Sequence, residues 1–281
     1  MRDMHVSREI IMEYRDYLYA EERSAGTVDK YMRDLSAFMR WLNGRTVTKE
    51  LLIQWKEHLQ AQHYAPSTIN SMLAALNGLF RFLGWETFRI KFLKIQRRLF
   101  RDTKRELTRA EFHHLLAAAQ AQGQERLALL METICATGIR VSEVKYITVE
   151  AIQKGRTEIA LKGKIRTILL PHKLTRKLLQ YAEKNKTVSG EIFLTGNGKS
   201  LSRQQIWAEM KDLCKRAGVE TSKVFPHNLR HLFATAFYQV CKDIVLLADV
   251  LGHSSIETTR IYLVTSGAEH ARQLEKLGFV S

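Results

Sequence analysis

Residues 224–264 read VFPHNLRHLFATAFYQVCKDIVLLADVLGHSSIETTRIYLV, and they concentrate anion-binding side chains just ahead of a tyrosine. Leu229, Leu232, Phe233, Ala236 and Phe237 recur at helical spacing, so His227 and Arg230 leave one face of a single helical turn and can reach one anion together. Leu251-Gly252-His253 closes a second apolar helix with glycine as its C-terminal cap. Ser254-Ser255-Ile256-Glu257 reads as a capping box opening a third, which places Tyr262 about two turns into that helix. A lone histidine or tyrosine beside an apolar helix face is ordinarily structural. The combination carries weight only if it has a partner upstream.

The chain has 281 residues, enough for two domains that each bury a core. With 45% hydrophobic and 26% charged residues it has the balance of a soluble globular protein, and no apolar run approaches the roughly 20 residues of a membrane span. Arg2, Asp3, Arg8 and Glu9 stand where a signal peptide would need an apolar stretch, so a cytoplasmic location is expected. Cys135, Cys214 and Cys241 lie singly in helical patterns without ligand spacing, which points to reduced thiols and to neither disulfide nor zinc.

The net charge of +15 suits a polyanionic partner. Residues 1–106 hold 19 Lys and Arg against 13 Asp and Glu, and the remainder is basic as well. Both halves are therefore expected to touch the same anion.

Upstream, residues 1–88 read as a compact four-helix unit. Helices are expected from about Ser7 to Glu22, Thr27 to Asn43 and Thr48 to Gln62, with a fourth starting at Ala65-Pro66-Ser67-Thr68 and stopping at Gly84. Lys30, Arg33, Arg40 and Arg81 on its exposed faces either meet phosphates or form a solvated surface. Residues 89–106 contain RIKFLKIQRRLFRDTKR, eight basic residues against one acid, and read as a basic linker in which Arg97 and Arg98 are further candidate DNA contacts.

The second domain, 107–281, opens with the capping box Thr108-Arg109-Ala110-Glu111. Helices at about Arg109 to Ala121 and Glu125 to Ala136 end at Thr137-Gly138, and Ile139-Arg140-Val141-Ser142-Glu143 follows at once. Taken alone, Arg140 would be a salt-bridged surface residue. The pattern then changes to β-rich runs, Glu158 to Leu161 and Ile165 to Leu170, separated by Lys162-Gly163-Lys164, a hairpin tipped with lysines. Helices resume at His172 to Lys184 and Arg203 to Ala217, the latter behind the capping box Ser202 to Gln205.

Arg140, the lysine-tipped hairpin, His227 with Arg230, His253 and Tyr262, in that order, resemble the tyrosine recombinase family of phage-type integrases and Xer-like resolvases. The likeness spans nearly the whole chain and rests on ATGIRVSE (Ala136 to Glu143), HNLRH (His227 to His231), LGH (Leu251 to His253) and Tyr262. It implies a mainly α fold: an N-terminal four-helix SAM-like core-binding domain, then an α+β catalytic domain of the DNA breaking-rejoining type with a small antiparallel sheet. It implies the catalytic set Arg140, Lys162, His227, Arg230, His253 and Tyr262, with Glu143 in support. The hairpin turn is about one residue shorter than the family's usual, which leaves Lys162 and Lys164 both open for one role. Implied partners are double-stranded DNA, a homo-tetramer on two DNA sites and an accessory directionality factor, with no cofactor, no metal and no membrane, in a nucleoid-associated bacterial setting. A tail at 267–281, with Ala271, Leu274 and Leu277 as a short stripe, is expected to dock on its own domain or, as the resemblance favours, on a neighbouring protomer.

The chemistry suits these residue types. A phenol with a pKa near 10 is a poor nucleophile unless a base or a strong field helps it, and His227 is the candidate base. A pentavalent phosphorane places charge on its non-bridging oxygens, for which Arg140 and Arg230 are fixed, always-protonated donors. A hairpin lysine can protonate the departing 5′ oxygen, His253 can hydrogen-bond the phosphate, and arginines take the part of a divalent ion. The expected activity is site-specific DNA recombination through a 3′-phosphotyrosine, serving integration and excision of a mobile element or dimer resolution. The alternatives are a type IB topoisomerase-like relaxing enzyme and a non-cleaving DNA-binding regulator of the same fold.

Overall fold

The computed structural model describes residues 5–95, 105–161, 164–262 and 275–276. The chain divides into two compact units, Met1–Arg97 and Arg98–Ser281. The described residues are mainly helical with one two-stranded antiparallel sheet, as the sequence pattern and the resemblance lead one to expect.

Unit one packs α1 (Arg8–Ala20), α2 (Ala25–Leu42), α3 (Lys49–Ala61) and α4 (Pro66–Phe82) around Leu35, Phe38, Leu52, Leu73, Leu76 and Leu79. Ser7 and Thr48 cap α1 and α3 with their hydroxyls, and Pro66 takes the first position of α4, where its missing N–H costs nothing. Helix α2 begins two residues earlier than the pattern suggests, because Gly26 falls in the first turn, where no intrahelical N–H bond is due.

The first part of the basic stretch lies against this unit. Asn77 donates to the Ile90 carbonyl (2.9 Å) and accepts from its N–H (2.8 Å), and Asn70 does the same with Leu93 at 2.9 and 2.7 Å. Seven residues of helix advance about 10.5 Å, close to the span of three extended residues, so the two amides meet the strap in register. From α3, Lys49 donates to the carbonyls of Thr87 and Arg89, and Lys56 to that of Lys91.

Unit two builds its core from α5 (Arg109–Ala121), α6 (Glu125–Thr137), α7 (Val149–Gln153), α8 (His172–Lys184) and α9 (Arg203–Ala217), with Leu115, Leu130, Ile134, Leu178, Met210 and Leu213 at its centre. Strands β1 (Arg156–Leu161) and β2 (Lys164–Leu169) pair from Arg156↔Leu169 to Leu161↔Lys164, turning Ile159 and Ile168 into that core. Lys164 therefore belongs to β2, paired through its backbone with Leu161, so the ladder takes up one of the lysines expected at the tip. Helices α10 (Pro226–Cys241), α11 (Ile244–Leu251) and α12 (Ile256–Arg260) follow, and Ala234, Leu247, Leu251 and Tyr262 form a small second cluster.

The last of these helices departs from expectation. Its N-cap is Ser255, whose hydroxyl accepts from Glu257 N–H, and not Ser254 of the expected capping box. The helix ends at Arg260, so Tyr262 lies just beyond it in a turn closed by Tyr262 N–H donating to Thr259 O at 3.0 Å, not two turns inside. The physical reason is burial: the ring is drawn into the Ala234–Leu247–Leu251 cluster and is only 3% exposed. Among the described residues no helix is long and apolar enough to cross a membrane.

Candidate active site

Two helix ends create the site. Helix α6 stops at Gly138 (φ +63°) and α11 at Gly252 (φ +62°), both in the left-handed conformation that glycine tolerates. Neither position has room for a side chain: a Cβ at Gly138 would strike the Phe233 ring, and one at Gly252 would strike the Arg166 stem.

Because the last carbonyls of a helix have no partner within it and carry the negative end of its dipole, they attract cations. Three successive carbonyls at the end of α11 each accept from a different arginine. Val250 O accepts from Arg166 Nη2 at 2.9 Å, Leu251 O from Arg230 Nη2 at 2.7 Å and Gly252 O from Arg140 Nη2 at 3.3 Å. Arg230 also donates to Gly138 O at the end of α6.

One carboxylate serves two of these cations. Glu143, 1% exposed, accepts from Arg140 Nη1 at Oε1 (2.8 Å), while its Oε2 accepts from the Arg140 backbone N–H and from Arg166 Nη1, both at 2.9 Å. Three guanidiniums against one carboxylate leave an excess of positive charge in a partly enclosed site, which favours an anion. Arg140 keeps 40% of its side chain exposed and is the donor best placed to meet it.

Burial, and then Arg140, lower the pKa of Arg230, while Tyr262 and Glu143 pull the other way. Burial brings Arg166 down to about 10, opposed by Glu143 and reinforced by Arg230 and Arg140, so it stays protonated at neutral pH. His253, partly buried beside Arg230, Arg140 and Arg166, is lowered to about 4. His227, at the start of α10, keeps an exposed edge, yet burial of its ring, then Arg230 and Arg203, push its pKa down as well.

Three imidazoles surround Tyr262. The ring of His253 stacks on it at 6.0 Å between centroids, His227 lies at 6.5 Å and His231 at 4.9 Å. The structure thus brings together Arg140, Glu143, His227, Arg230, His253 and Tyr262. Lys162 lies outside the described residues, and Lys164 is described by its backbone alone.

In unit one Lys30 is tied to Asp34 at 2.5 Å, and Arg33, Arg40 and Arg81 are exposed. Arg97, Arg98 and the tail candidates Ala271, Leu274 and Leu277 lie outside the described residues.

Two residues at the site were not singled out from sequence. His231 was visible as the last letter of HNLRH, and its ring is the nearest of the three histidine rings to Tyr262. Arg166 carried no signal of its own, since one basic residue in a β-rich run predicts a solvated edge and not a 10% exposed side chain.

Comparison with known proteins gives two family matches, the phage integrase family over residues 105–268 and the phage integrase N-terminal SAM-like domain over residues 11–87. Tyrosine recombinase XerA of Pyrococcus furiosus is 30% identical over 291 aligned positions, covering 99% of each chain. Two solved structures share the fold. A lambda integrase tetramer bound to a Holliday junction superposes with a TM-score of 0.75 at 18% identity, covering 93% of this chain and 78% of that one. A pre-cleavage complex of the XerH site-specific recombinase with its difH substrate gives 0.67 at 19% identity, covering 97% and 90%.

Proposed function

Since the chain belongs to the phage integrase family, whose tyrosine recombinases break and rejoin DNA, we propose that it recombines duplex DNA at specific sites through a 3′-phosphotyrosine on Tyr262. The observation that carries this reading is the gathering of Arg140, Arg166 and Arg230 on one helix end, with Tyr262 beside Arg230.

Arg140 and Arg230 bind the non-bridging oxygens of the scissile phosphate, where their charge matters most as the phosphorane forms. The Tyr262 hydroxyl attacks phosphorus and its proton passes to a neighbouring imidazole. His227, whose lowered pKa keeps it neutral and able to receive a proton, suits this, and His231 is the ring nearer to Tyr262. Lys162 at the hairpin turn protonates the departing 5′ oxygen, with Lys164 as the other candidate. Rejoining is the same path reversed, with a 5′ hydroxyl as nucleophile. Glu143 holds Arg140 in place.

The partner is double-stranded DNA, contacted in unit one by Lys30, Arg33, Arg40 and Arg81, with Arg97 and Arg98 of the basic stretch as further contacts. We read the chain as a core-binding domain at 1–88, a linker at 89–106 and a catalytic domain at 107–281, a reading supported by the family matches over 11–87 and 105–268. The likeness to a lambda integrase tetramer on a Holliday junction supports a tetramer joining two sites. The biological setting is integration and excision of a mobile element or resolution of dimers, with a directionality factor as an accessory in the first case.

The test is a nicked suicide duplex that traps the cleaved strand. Wild type should form a denaturation-resistant protein–DNA adduct that maps to Tyr262, and Tyr262→Phe should bind the duplex but form none. An adduct with Tyr262→Phe would overturn the assignment, and sequencing the DNA trapped in cells would identify the site.

A further inference from the structure

We infer that Arg166 is a positioning residue of this centre, holding the Arg140–Glu143 pair and the His253-bearing end of α11 in one fixed relation. The inference rests on the reading of the site just given. Arg166 stands on β2 opposite Ile159, and its side chain is buried to all but 10%. One guanidinium arm reaches Glu143 Oε2 at 2.9 Å and the other reaches Val250 O at 2.9 Å. It thus joins three segments distant in sequence: β2, the segment carrying Arg140 and Glu143, and the end of α11.

Both joints act at one remove on groups that meet the phosphate. Glu143 uses Oε1 for Arg140 Nη1, and its Oε2 is shared between Arg140 N–H and Arg166 Nη1, so Arg166 fixes the carboxylate that aims Arg140. On the other side, Val250 O directly precedes the carbonyls of Leu251 and Gly252, which hold Arg230 and Arg140, and His253 comes next. The turn at Gly252 folds over the Arg166 stem so closely that a Cβ there would lie 2.9 Å from Nε.

Arg166 is poorly placed to meet DNA, because its side chain is only 10% exposed, each Nη already donates to protein and Nε is buried without a partner. A methionine would fill the same channel without the desolvation of a charge, so packing alone does not ask for a guanidinium. What the guanidinium adds is a rigid fork with two arms at fixed separation. An ammonium on a flexible stem cannot reproduce it.

The experiment measures single-turnover cleavage of the suicide duplex at saturating DNA, together with duplex affinity and melting temperature, for full-length wild type, Arg166→Lys, Arg166→Met, Glu143→Gln and the Arg166→Met/Glu143→Gln double variant. Arg166→Lys keeps the charge and is expected to fold, yet to cleave roughly 10- to 100-fold more slowly with affinity changed by less than about 3-fold, the pattern of a misplaced catalytic geometry. Arg166→Met should be slower still, and the double variant no slower than the worse single variant, because both act through one contact. Cleavage by Arg166→Lys at the wild-type rate would overturn the inference whether or not Arg166→Met folds. So would a parallel loss of affinity with additive effects, which would mark a direct phosphate contact. If wild type itself forms no Tyr262-dependent adduct, the underlying reading fails. If it does and Arg166→Lys is unimpaired, only this inference fails.

Discussion

Arg230 Nη2 lies 3.1 Å from His253 Nε2, and the other ring nitrogen of His253, Nδ1, lies 2.9 Å from the Thr259 hydroxyl. A guanidinium can only donate, so Nε2 presents its lone pair and the ring proton sits on Nδ1, donating to Thr259. His253 is therefore neutral here. To hydrogen-bond a phosphate through Nε2, the ring must lose this bond and also carry a proton on Nε2, since a phosphate oxygen only accepts.

Stability should depend on pH through this ring. The pKa of His253 is about 4 in the folded chain against a usual 6.5, so the unfolded chain binds the extra proton first as pH falls. Folding stability should be full above about pH 7 and decline as pH drops from about 6.5 toward 4, with His227, also lowered, adding to the slope. Urea midpoints at pH 7 and pH 5 should separate for wild type and lie closer together for His253→Gln. Equal separation in the two proteins would remove His253 as the source.

Gly252→Ala should damage the site more than its size suggests. Its φ of +62° costs an L-residue about 1–2 kcal/mol, and the added methyl must displace the Arg166 stem. A lower melting temperature together with a loss of cleavage larger than that of Gly155→Ala, at another positive φ but with open space around it, is the expected result.

Glu143→Gln should leave Arg140 and Arg166 without their shared counter-charge. Breaking a buried pair costs about 3–5 kcal/mol, and Glu143 meets the condition with a side chain 2% exposed. Denaturant unfolding should show a loss of that order, reduced when phosphate or sulfate is added, since an anion can stand in for the missing charge.

At the hairpin, Lys162→Ala should slow cleavage far more than Lys164→Ala, because the ladder takes Lys164 into β2. A duplex with a 5′-bridging sulfur, whose leaving group needs little protonation, should restore the rate of Lys162→Ala. Rescue confined to Lys164→Ala would assign the role to that residue.

Local pattern was enough for much of this protein. Helices α1 to α6 and α8 to α10, the hairpin, the glycine ends at Gly138 and Gly252, and the order Arg140, His227, Arg230, His253, Tyr262 were legible because each depends on residues within a few turns of one another. Legibility ended where an interaction joins distant segments. Nothing near Arg166 announces that its guanidinium will reach Glu143 and Val250, nothing local stops α12 before Tyr262, and nothing in HNLRH ranks His231 over His227 as the nearer ring. These were decided by tertiary packing: a helix end offers carbonyls to whatever cations the fold brings within reach, and an aromatic ring near a small apolar cluster gains more from burial than from another turn of helix.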